Sequence, residues 1–141
     1  MAENKTKATQ RSPAEFIAAI SHPVRRTDAE TLLPIMERIS GLPATMWGPS
    51  IIGFGTHRYR YESGREGEIC RIGFSPRSGN LVFYILNSFD GQGALLARLG
   101  KHKTSGDGAG CLYVNKLADI DMAVLEAMIA AAWANEKVDC C

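Results

Sequence analysis

Net charge of one sign is what this chain most lacks: at pH 7 its 16 Lys and Arg stand against 15 Asp and Glu, a formal +1. That balance argues against a strongly basic nucleic-acid binder. Long apolar runs are also missing. The longest, residues 122–134, is interrupted by Glu126 and is too short to span a bilayer, and the opening MAENKTKATQRS has no apolar signal core. The chain is therefore expected to be cytoplasmic, with no membrane partner. Cysteine is sparse. Cys70, Cys111, Cys140 and Cys141 show no C-x-x-C spacing and the histidines no paired arrangement, so neither a zinc site nor a redox dithiol is indicated. Cys70 and Cys111 read as small hydrophobes in strands of a reduced protein, and the terminal pair as incidental thiols on a tail.

Catalytic signatures are absent as well: there is no G-x-S-x-G elbow, no H-E-x-x-H and no Walker loop. Gly91-Gln92-Gly93 precedes a helix but lacks the third glycine of a dinucleotide fingerprint. His57 and His102 have no nucleophile at a recognisable spacing. No catalytic residue and no cofactor is assigned.

What remains is a chain of 141 residues, 45% hydrophobic and 22% charged, which suits one globular domain with a single core. Residues 1–11 are polar and read as a disordered tail, 12–135 as the domain and 136–141 as a flexible end. Ser12-Pro13-Ala14-Glu15 is a capping box with Pro at the first helical position, and His22-Pro23 ends the short helix it opens. A second capping box, Thr27-Asp28-Ala29-Glu30, predicts a helix carrying Leu32, Ile35, Met36 and Ile39 to a stop at Gly41, kinked or started late by Pro34.

Strand signals concentrate in 46–85. Residues 51–54 form a short apolar strand; 56–61 alternate rings (His57, Tyr59, Tyr61) with cations; 68–74 alternate again; 81–86 are apolar on both faces. These four predict an antiparallel meander, and 111–114 a fifth strand. A helix over 94–99 stops at Gly100. The last helix, 119–135, aligns Met122, Leu125, Met128, Ile129 and Ala132. The expected fold is α+β: a roughly five-stranded antiparallel sheet packed with N-terminal and C-terminal helices.

Five segments carry a family resemblance: Met46-Trp47-Gly48-Pro49-Ser50; Ile52-Gly53-Phe54-Gly55; Tyr61-Glu62-Ser63-Gly64-Arg65-Glu66-Gly67; Gly73-Phe74-Ser75-Pro76-Arg77; and Leu99-Gly100-Lys101-His102-Lys103-Thr104 leading into Cys111-Leu112-Tyr113. In this order, over roughly residues 27–130, they resemble the YdhG-like proteins, domain of unknown function 1801. The resemblance implies an α+β domain. Some members are described as frataxin-like iron chaperones, so it also implies iron handling as one activity.

The charges are uneven: residues 57–103 hold eight Lys or Arg against four Asp or Glu, and 104–141 two against six. Mutual attraction of the two parts in the fold is the simplest reading. A second is a site for a small anionic ligand, or a protein partner, with Arg65, Arg77, Lys101 and Lys103 as donors and Trp47, His57, Tyr59 and Tyr61 as neighbouring rings. Arginine forks suit carboxylate and phosphate, and nearby glycines let backbone amides approach. The competing readings are solvated loop charges, half-buried sheet tyrosines and a Trp47 packed as a core lid. Iron would need clustered oxygen ligands. Asp119, Asp121 and Glu126 are the nearest set, although acids at a helix start also answer the helix dipole.

Overall fold

A computed structural model describes residues 8–60, 66–105 and 110–135. Side-chain surroundings at positions 8, 57–60, 66 and 67 fall outside that description. The chain runs β1 (Ala8–Thr9), α1 (Pro13–Ala18), α2 (Pro23–Ser40), β2 (Thr45–Trp47), β3 (Ile51–Phe54), β4 (His57–Arg60), β5 (Glu66–Ile69), β6 (Ile72–Pro76), β7 (Leu81–Leu86), α3 (Gln92–Leu99), β8 (Lys103–Thr104), β9 (Gly110–Val114), a 3₁₀ turn at Leu117–Asp119 and α4 (Met122–Ala134). No helix among the described residues is long and apolar enough to cross a membrane.

The main sheet is antiparallel, in the order β1-β2-β3-β6-β7-β9-β8. Its five inner strands agree in number with the expected sheet, but β2 was not among the expected strands, and β1 and β8 add two residues at each edge. Directly paired residues share a face of the sheet. Met46, Ile52, Phe74, Phe83 and Leu112 are paired in succession across five strands, and all are fully buried. This row meets α2 and α4, whose Leu32, Met36, Leu125, Met128 and Ile129 complete the main core. Strand β7 is buried at all six positions, as its two-sided apolar pattern predicts.

The local start and stop signals act where the sequence places them. Ser12 Oγ accepts from Glu15 N–H, Pro13 opens α1, and Gly41 closes α2 at φ 72°. The second capping box is unused. Helix α2 begins earlier, at Pro23, capped by His22 Nδ1, and it runs on through Pro34. The Asp28 carboxylate, within α2, accepts from Leu117 N–H and ties the helix to the 3₁₀ turn.

The meander is corrected. Residues 57–60 do not enter the main sheet; they pair with Glu66–Ile69 as a separate two-stranded hairpin, and β3 pairs directly with β6. The expected strand over 68–74 is therefore two strands, with the buried Cys70 between them. At the N-terminus, Ala8 and Thr9 belong to an edge strand rather than to a tail. Cys111 is disulfide-bonded, not reduced, whereas Cys70 is a buried thiol.

Helix α4 starts at Met122 instead of 119, because the Asp121 side chain caps it through Ala123 and Val124 N–H. Asp121→Ala is expected to cost about 1 kcal/mol, the usual value of an N-cap. A urea titration showing an unchanged midpoint would exclude this role.

Candidate functional site

The arrangement with the most developed chemistry lies at one end of the sheet. There the α1–α2 corner and the first turn of α2 face the β6–β7 turn across an open cleft of about 470 Å³. Phe16 and Ile20 on one side and Pro76 on the other supply apolar lining. The polar groups are Arg11, His22, Arg25 and Arg77, with Ser21 and Ser78 beside them, and no carboxylate side chain lines the cleft among the described residues.

Each cation is held differently. Arg25 is only 3% exposed. Its Nε donates to the Arg77 carbonyl at 2.8 Å and its Nη1 to the Asn115 carbonyl. No carboxylate pairs with it among the described residues. Arg77 is exposed; its Nη2 donates to Tyr84 Oη at 2.9 Å and its Nε to Ser75 Oγ at 3.4 Å. Arg11 stacks its guanidinium on the Phe16 ring, 4.9 Å from the centroid. His22 Nδ1 accepts from Arg25 N–H at 3.2 Å, so the neutral ring carries its proton on Nε2 as a donor.

The electrostatics follow from this placement. The start of an α-helix carries partial positive charge and ordinarily attracts acids. Helix α2 has no acid in its first turn and has Arg25 there instead. The cleft thus combines guanidinium charge with the positive end of an 18-residue helix. Beside it, Tyr84 has a pKa raised above 10.0, chiefly by burial; the charge and hydrogen bond of Arg77 pull it the other way.

Of the described basic residues expected to form one site, Arg77, Lys101 and Lys103, only Arg77 lies in this cleft. Lys101 follows α3, its N–H bonded to the Asp119 carbonyl, and Lys103 sits on the β8 edge opposite Tyr113. Tyr113 pairs with Val82 and Val82 with Ser75, so three inter-strand spacings, roughly 14 Å, separate Lys103 from Ser75, two residues before Arg77. Tyr61 and Arg65 lie outside the described residues, as do the side chains of His57 and Tyr59, which belong to β4.

Trp47 is the core lid its surroundings suggested. It is 3% exposed on the sheet face opposite the main core, where its ring fills the space beside Gly53 and Cys70, and its Nε1 is buried without a partner. The acids named for iron are engaged singly. Asp121 caps α4, Glu126 pairs with Arg38 and Asp119 belongs to the 3₁₀ turn, and no group of three potential metal ligands occurs among the described residues.

Arg11, His22 and Arg25 were not found by sequence reading. One signal was available: a cation in the first turn of a helix opposes the dipole, and such local inconsistencies concentrate at functional sites. It was masked by the unused capping box, which placed the helix start at 27 and left Arg25 in a loop. No protein-family model, no curated protein and no solved structure matches the chain.

Proposed function

We propose that this chain is a binding domain for a small anionic ligand, seated in the cleft between the α1–α2 corner and the β6–β7 turn. One observation carries the reading: Arg11, Arg25 and Arg77 line a cavity of ligand size to which no carboxylate side chain contributes among the described residues. Three guanidinium groups without a lining acid leave positive potential that an anion would neutralise. The buried Arg25 supplies fixed charge, and its bond to the Arg77 carbonyl holds the turn in place.

Thermal shift of the purified protein against phosphate, nucleotides and small carboxylates tests this, since a ligand of the native state raises its apparent stability. Arg77→Gln is expected to weaken the responding anion by roughly tenfold or more, the value of a charged hydrogen bond. Arg77 is exposed, so the variant should fold. A second readout locates the substitution. Without Arg77 the Tyr84 pKa should rise further, because a lowering influence is gone while burial remains.

The sign with respect to stability is fixed. A folded-state pKa raised above 10.0 means that the native state holds its proton longer than the unfolded chain, so Tyr84's contribution is complete below pH 10 and is lost as pH rises above it. Ultraviolet titration of the tyrosines should show one phenol ionising later in Arg77→Gln than in the parent. An earlier ionisation would contradict the contact, and equal anion affinity in the two proteins would contradict the site.

A further inference from the structure

We infer that the anion is a carboxylate joined to an apolar body of a few carbons, such as a short-chain or aromatic acid, an inference that rests on the cleft being an anion site. Two features narrow the ligand.

The first is the shortage of backbone donors at the start of α2. Phosphate sites at helix starts depend on several N–H groups converging on the oxygens. Here Pro23 has none, Arg25 N–H is taken by His22 Nδ1, and Arg26 N–H is taken by the His22 carbonyl. The Val24 N–H remains, but Val24 does not line the cleft. A carboxylate needs fewer donors: one planar guanidinium fork matches its two oxygens.

The second feature is the apolar lining that Phe16, Ile20 and Pro76 contribute beside those cations. A bare inorganic anion would leave this lining in water and most of the 470 Å³ unused. An apolar chain attached to the carboxylate covers it. Arg11, lying on the Phe16 ring, places a positive charge directly against that apolar lining.

The test is calorimetric titration of the full chain with acetate, butyrate, hexanoate and benzoate, alongside inorganic phosphate and phenyl phosphate. Burial of one methylene is worth about fourfold in affinity, and in an open cleft about half of that should be realised. Affinity is expected to rise at least about tenfold from acetate to hexanoate. Benzoate should bind at least as tightly as phenyl phosphate. Arg77→Gln should weaken the whole series by a common factor, whereas Phe16→Ala should flatten its dependence on chain length.

A flat carboxylate series, with phosphate bound as well or better and still sensitive to Arg77→Gln, would overturn this inference while leaving the anion site standing. Hexanoate binding that neither substitution alters would place the acid elsewhere and overturn it too. If none of these anions binds, both readings fall together.

Discussion

Arg25→Met is expected to lower stability by about 3 kcal/mol, near 10 °C in Tm for a chain of this size, and to abolish anion binding. Two effects oppose each other. Methionine removes a charge buried without a carboxylate partner among the described residues, which recovers desolvation energy. It also leaves the Arg77 and Asn115 carbonyls without the donor that serves each of them. Hydrogen bonds from a charged donor contribute about 1.5–3 kcal/mol each, so losing two outweighs the relief. The loss is also one of connection, because the guanidinium ties α2 both to the β6–β7 turn and to the segment following β9. Arg25→Lys should recover only part of the stability, since an ammonium on a single stem does not reproduce the fork. Thermal denaturation of Arg25→Met within 2 °C of the parent would show that the carbonyls do not depend on Arg25.

Gly73→Ala is the second substitution with a large expected effect, about 3 kcal/mol or more. A Cβ at this position would stand 2.8 Å from the Ile52 carbonyl oxygen and 3.2 Å from both Gly53 Cα and Cys70 Sγ. Two of these three atoms are backbone, and Gly73 pairs directly with Gly53 in the middle of the sheet. Relief therefore requires β3 to move away from β6, against the row of Ile52 and Phe74 packed on the other face. Overpacking of a side chain alone ordinarily costs about 1–3 kcal/mol, and here the rigid partner sets the upper end. Gly79→Ala is the control. Nothing lies within 4 Å of a Cβ there, so its unfolding midpoint should move by no more than about 0.5 kcal/mol. Equal midpoints for the two alanine variants would show that the sheet opens without cost at Gly73.

Both substitutions act at positions whose importance depends on distant parts of the chain. Gly73 carries no local sign of need, since its φ is unexceptional and its conflict is with Ile52, 21 positions earlier. Arg25 gains its role from carbonyls at 77 and 115. The expected convergence of Arg77 with Lys101 and Lys103 failed for a related reason. Nearness in sequence composition says nothing about register, and β8 is two strands beyond β7 in the sheet.

What the sequence determined by itself was whatever acts within a few residues. The Ser12-Pro13 start of α1, the Gly41 and Gly100 stops and the burial of Leu81–Leu86 on both faces all depend on caps, backbone conformation or apolar period, which a short window contains. The α+β class follows from their sum. Tertiary structure alone decided which strands pair, where α2 begins and which cations meet. The expected meander put residues 56–61 next to 51–54, whereas the sheet pairs 51–54 with β6, which extends one buried apolar row from Met46 to Leu112. The cleft is a consequence of the same choice. Arg11, Arg77 and the His22–Arg25 start of α2 come from three separate parts of the chain, brought together only when α2 docks on the sheet and its first turn lands beside the β6–β7 turn.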